Sequence, residues 1–168
     1  MLAPAVRARL PAESRTAEAL LVTPRRWAAD RPAVVLLPGT GEHSFARRLQ
    51  TVAEPLARDH GVASVLLTGP FYGARKPPGQ PKSKLKTVSD LPLLGHATIE
   101  EARSLLRWLR EERGAGPLVV AGVSMGGLHA AMTASLTPFP VGAVGFLAPP
   151  SAAPVFADGL LADASAWP

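Results

Sequence analysis

Apolar residues along this chain fall into short unbroken runs separated by longer stretches in which they recur every three or four positions. The runs at 19–22, 33–37, 62–67, 117–121 and 141–147 read as strands. That at 33–37 (Ala33, Val34, Val35, Leu36, Leu37) is wholly apolar and stops at Pro38 and Gly39, as expected for a central strand covered on both faces. Between the runs the spacing predicts helices. Phe45, Leu49, Val52 and Leu56 make one apolar face after Ser44, the expected N-cap, and Pro55 inside that pattern should kink or divide the helix. The clearest helix opens with Thr98 and Glu101 as a capping box. It carries Ile99, Ala102, Leu105, Leu106 and Leu109 as a stripe and has Gly114 at its C-terminal cap. Residues 69–95, with prolines at 70, 77, 78, 81 and 92, read as irregular, and 155–161 as a short helical segment. The alternation predicts an α/β fold with a mostly parallel sheet and helices on both faces. With no repeat and no boundary, 1–168 is expected to form a single domain, its residues 1–12 poorly ordered: Arg7 and Arg9 sit there between Pro4 and Pro11 with no amphipathic period.

Composition narrows the chemistry. The 168 residues, 47% of them apolar and 18% charged, suffice for a buried core. No apolar run approaches the ~20 residues of a spanning helix, so no transmembrane segment is expected. The absence of cysteine removes disulfides, thiolate metal sites and a cysteine nucleophile, and neither a metal nor a cofactor is expected. A net charge of +5 implies mild attraction to anions. No basic helix or aromatic-basic stripe accompanies it, so nucleic acid is not an expected partner.

The most informative stretch is Gly122-Val123-Ser124-Met125-Gly126, set between a strand and a helix. A serine there stands on a sharp strand-to-helix turn, with Gly122, Gly126 and Gly127 small enough to let the backbone close. Free amides at the helix start suit an oxyanion, and the first donor in this architecture is the N–H after the nucleophile, here Met125. A second should come from the glycine-rich loop Pro38–His43, from Thr40 or Gly41; the sequence does not choose. As a nucleotide site the loop fails: Gly39-x-Gly41-x-x-Ser44 lacks the third glycine, no acidic residue ends the next strand, and no Gly-Lys-Ser/Thr follows.

His43 borders this loop and is a candidate base in a Ser124–His43 pair, against a structural role opening the next helix. His129 reads as a packing or surface histidine, and His60 and His96 as surface or capping residues. Tyr72 and Arg75 directly follow a strand and are candidate substrate contacts. Arg75, Lys76, Lys82, Lys84 and Lys86 make either a solvated loop or a basic lid over the crevice.

Several blocks in order carry a family resemblance. They are residues 10–15, Gly39-Thr40-Gly41-Glu42-His43, the distinctive Gly69-Pro70-Phe71-Tyr72-Gly73-Ala74-Arg75-Lys76-Pro77, residues 88–91, the elbow through Gly127, and residues 155–167. From about Leu10 onward the chain resembles the α/β-hydrolase superfamily, and most closely the alpha/beta-hydrolase domain-containing protein 18 family. The resemblance implies a serine hydrolase of the esterase/lipase kind acting on a small-molecule or lipid acyl ester. Ser124 would be the nucleophile and the Gly39–His43 loop the oxyanion hole. Family members run on past the point matching Trp167, and the triad acid and histidine would lie there. Asp158 and Asp163 follow Ser124 but do not replace a base. The domain is therefore expected to be incomplete at its C-terminal end, with weak or no turnover if the protein stops at 168. The competing expectation is a non-catalytic pseudo-hydrolase that binds a ligand or partner. The strand at 141–147, left as an apolar sheet edge, further predicts homo-oligomerisation.

Overall fold

A computed structural model describes residues 3–151 and 153–156. Among these residues five strands form one sheet in the order β1-β3-β2-β4-β5. They are β1 (Ala19–Val22), β2 (Ala33–Leu37), β3 (Ala63–Leu67), β4 (Leu118–Val123) and β5 (Gly142–Phe146). β1 pairs antiparallel with β3, and every other pairing is parallel. β2 and β3 are buried along their whole length, as unbroken apolar runs require.

Successive side chains of a strand point to opposite faces, and each face has its own cover. Val35, Leu37, Val65, Leu67 and Val120 pack against Ala102, Leu106 and Leu109 of helix α4 (Asp90–Glu111) and Ala130 of helix α5 (Met125–Leu136). Val34, Leu36, Leu66 and Ala121 meet Ala53, Leu49, Val52 and Leu56 on the other face. The expected mostly parallel sheet with helices on both faces is what forms.

Pro4–Arg9 form a short helix, α1, and Leu10 is buried among Phe71, Tyr72 and Leu94. Two helix-cap expectations are corrected. Ser44 does not cap the helix after β2. That helix, α2 (Ala46–Arg48), opens after Phe45 without a side-chain cap, widens into a π turn at Leu49–Ala53 and continues as α3 (Glu54–His60). The wide turn immediately precedes Pro55, whose missing N–H would have broken a regular helix at that point. Thr98 and Glu101 do not open a helix either. α4 spans Asp90–Glu111, so Thr98 lies buried in its middle. Pro92 falls in the first turn, where no backbone N–H needs an intrahelical acceptor. Gly114, with φ +60°, does close the helix as its sequence position predicts.

α5 spans Met125–Leu136, and α6 covers Ala153–Phe156. β5 is an edge strand among the described residues and is exposed throughout, with Phe146 57% accessible. Asp158, Asp163 and the remainder of the helical segment expected at 155–161 lie outside the described residues.

Candidate functional site

The site is built where β4 turns into α5. Ser124 sits between them with φ +55° and ψ −124°, backbone angles that a residue with a side chain adopts only under strain. Three bonds hold it there. Its N–H donates to the Phe146 carbonyl at 2.8 Å, and its own carbonyl accepts from Gly127 and Leu128 at 2.9 and 3.2 Å. The hydroxyl is not spent on capping α5, and the half-buried side chain faces a cavity of about 510 Å³.

The glycines around it are required by close approach. A Cβ on Gly122 would overlap the backbone of Gly126, and one on Gly126 would come within 2.7 Å of the Pro38 carbonyl oxygen. Gly127 packs on Ala148. The second of these contacts brings the glycine-rich loop against the elbow. Thr40 then lines the cavity together with Ser124 and Met125, and its Oγ1 donates to the Met125 sulfur at 3.6 Å. Gly41, the alternative donor, is not among the residues that line the cavity. It packs on Ser83, and its backbone meets the Tyr72 hydroxyl.

Three sequence-predicted site residues are turned elsewhere. The Nδ1 of His43 accepts the Gly73 N–H at 3.0 Å, so the neutral ring carries its proton on Nε2, which pairs with Ser83 Oγ at 2.9 Å. Both nitrogens are committed, and the base role expected of His43 has no lone pair to perform it. Tyr72 is 1% exposed, packed with Phe71, Leu94 and Met125, and burial raises its phenol above the ordinary value. Arg75 is equally buried. It donates to the Thr68 and Ser14 carbonyls and to both oxygens of Glu101, which ties three segments together and leaves no donor facing the cavity from its guanidinium fork. Lys82, Lys84 and Lys86 are exposed, as a solvated loop would be.

The cavity is walled instead by two helices. α4 contributes Leu91, Pro92, Gly95, His96, Ile99 and Glu100; α5 contributes Leu128, His129, Met132 and Leu136. The sequence reading missed the α4 wall because it started that helix eight residues late. Among the described lining residues there is no lysine or arginine, and Glu100 is already paired with Arg103.

His129 is 7% exposed, against Gly95, and burial lowers its pKa to about 4. It stays neutral and is poorly matched to take a proton near pH 7. Its effect on stability has a definite sign. The unfolded chain binds a proton below pH ~6.5 that the folded chain refuses until about 4, so stability falls as pH drops through that window. The loss should reach roughly 3 kcal/mol, and His129→Gln should flatten it, as urea melts at pH 7 and pH 4.5 would show. Equal pH slopes in both proteins would contradict a buried neutral imidazole.

Among the described residues, no imidazole hydrogen-bonds Ser124, no cluster of three or more His, Asp or Glu could hold a metal, and no helix is long and apolar enough to cross a membrane.

Comparison with known proteins adds the following. The family model for alpha/beta hydrolase domain containing 18 matches residues 2–168. Among solved structures, Est1E of Butyrivibrio proteoclasticus, determined with ferulic acid bound, is 20% identical with a TM-score of 0.54, over 71% of this chain and 43% of that one. An alpha-beta serine hydrolase homologue from Coxiella burnetii is 18% identical with a TM-score of 0.48, over 70% of this chain and 51% of that one. Esterase 2 of Thermogutta terrifontis, phosphorylated by paraoxon, is 22% identical with a TM-score of 0.47, over 68% and 41%. The chain thus spans between 41% and 51% of the length of these structures. At such identities the likeness to Est1E speaks for the fold: the mostly parallel sheet is of the α/β-hydrolase type.

Proposed function

This chain belongs to the alpha/beta hydrolase domain containing 18 family, and we propose that it supplies the nucleophile and oxyanion hole of a serine hydrolase acting on esters with an apolar acyl group. One observation carries the reading: a strained serine at the strand-to-helix turn opens on an apolar cavity that Thr40 and Met125 also line. In this mechanism the Ser124 hydroxyl attacks the ester carbonyl, and the Thr40 and Met125 amides receive the oxyanion. The alcohol leaves, and water releases the acid from the acyl-enzyme. The acyl chain lies along the α4–α5 wall over Ile99, Leu128 and Met132. Without a cation in that wall, an uncharged chain is preferred to an anionic one. The base that takes the serine proton is assigned outside the described residues, because none of the described histidines, His96 of the cavity wall included, hydrogen-bonds Ser124.

The test is covalent. Treating the full-length protein with a fluorophosphonate should add one phosphonyl group to the peptide containing Ser124, read by mass spectrometry. An adduct on another residue, or none under conditions that label a known serine esterase, would sink the reading. In the latter case the cavity would be left as a binding site alone.

A further inference from the structure

Glu42 and Arg48 have no part in the chemistry described so far, yet they hold the loop on which it depends. Glu42 Oε2 accepts the Gly39 N–H at 3.1 Å, and the Glu42 N–H returns a long bond to the Gly39 carbonyl at 3.4 Å. The turn 39–42 is thus closed on itself by main chain and side chain. Glu42 Oε1 takes the Arg48 Nε–H at 2.7 Å. Arg48, only 7% exposed, spends its other donors on the carbonyls of Leu36 and Leu67, at the C-terminal ends of β2 and β3, at 2.5 and 3.0 Å. The loop is clamped to the rim of the sheet through a buried guanidinium.

Two consequences follow. The Gly39 N–H is occupied and is not available to a substrate; the next amide along, that of Thr40, belongs to the residue that reaches the cavity. Moreover, the Glu42 side chain holds the Pro38–Gly39 peptide while its main-chain N–H holds the carbonyl of the Gly39–Thr40 peptide, so this one residue fixes both peptides leading to the Thr40 N–H. Preorganised donors lose much of their effect when displaced by a fraction of an ångström.

We infer that Glu42 is a positioning residue, which with Arg48 aims the Thr40 N–H at the oxyanion formed on Ser124. The inference rests on the reading of Ser124 as nucleophile. A purely architectural clamp would make labelling follow stability, whereas a positioning clamp makes it follow the reach of residue 42. Two variants of the full-length protein separate these. Glu42→Asp keeps a carboxylate near Arg48 but withdraws it from Gly39 by one methylene. It should melt close to the wild type, yet label Ser124 with fluorophosphonate about tenfold more slowly, and cleave an aryl ester with kcat reduced and KM unchanged. The double variant Glu42→Gln/Arg48→Met removes the buried charge pair but keeps an acceptor at the right distance for Gly39. It should melt lower and still label within about threefold of the wild type.

Wild-type labelling by Glu42→Asp would overturn the inference on its own, even if the double variant fails to fold. Labelling that falls with melting temperature across both variants would do the same. A wild-type protein that never labels at Ser124 would remove the nucleophile reading first and this inference with it, so the two failures are told apart by the wild-type control.

Discussion

Ser124→Gly is expected to raise the melting temperature of the protein while abolishing the proposed ester hydrolysis. The two effects have one origin. At φ +55° and ψ −124° the residue occupies a region that costs a side-chain-bearing residue of order 1–3 kcal/mol. Glycine has no Cβ to clash and relieves that strain, but it brings a more flexible unfolded chain, worth about 0.5–1 kcal/mol in the opposite direction. The balance favours the variant by about 1 kcal/mol, or about 2–4 °C for a protein of this size. Loss of the hydroxyl should lower kcat/KM by at least ~10³-fold, since only the oxyanion amides and binding remain. Ser124→Ala serves as the control: it keeps the Cβ and the strain, so it should lose the same activity with no thermal gain. Calorimetry and ester turnover on the three proteins check this. A destabilised Ser124→Gly would mean that the turn stores no strain, and that the serine is there for packing.

What the sequence disclosed about this site, and what it hid, divides by the range of the interactions involved. The elbow was legible because its glycines answer to neighbours a few residues away: Gly122 must admit Gly126, and that requirement is written in five consecutive positions. The loop at 38–43 was legible as a partner because it follows a buried strand and carries glycine. The reading that favours Thr40 over Gly41 as the proposed oxyanion donor rests on Ser83 and Tyr72, 42 and 31 positions on from Gly41, and no local pattern encodes it. α4 was misread for a related reason. Pro92 and Gly95 look like helix breakers, but the proline sits in the first turn and Gly95 provides room for the ring of His129 on the facing helix. Thr98 and Glu101 matched a capping box by spacing alone, whereas Glu101 is selected by Arg75 across 26 positions. Arg75 and Tyr72, candidate substrate contacts because they follow a strand, are instead buried, Arg75 in hydrogen bonds to Ser14, Thr68 and Glu101 and Tyr72 in the cluster around Phe71 and Leu94. One further signal was within reach, the pairing of Glu42 with Arg48, because the two share a short segment after β2.

Arg75→Met is expected to destabilise the protein by about 3–5 kcal/mol, and by less at acidic pH than at neutral pH. Methionine matches the aliphatic stem but returns none of four bonds. The carbonyls of Ser14 and Thr68 lose their donor at sites where both residues are nearly inaccessible, and the Glu101 carboxylate is left without its cation with its side chain 10% exposed. Burial already holds Glu101 above the ordinary carboxylate value, against the opposing pull of Arg75. Removing Arg75 takes away the opposition and raises Glu101 further. A carboxyl with a raised folded-state pKa binds its proton more readily folded than unfolded, so its contribution to stability falls as pH rises through that value. The penalty of Arg75→Met should therefore shrink as pH is lowered from neutral toward the ordinary carboxylate range, as Glu101 takes up a proton and ceases to be an unpaired buried charge. Measuring the difference from wild type at each pH cancels the acid sensitivity of His129, which the two proteins share. Urea midpoints at unchanged m-value give the numbers. Arg75→Met/Glu101→Leu should recover part of the loss, because no charge is then stranded, and what remains measures the Ser14 and Thr68 carbonyls alone. A penalty that stays constant with pH, or a double variant worse than Arg75→Met, would show that Glu101 reaches water in the folded protein and that Arg75 acts through the backbone carbonyls only.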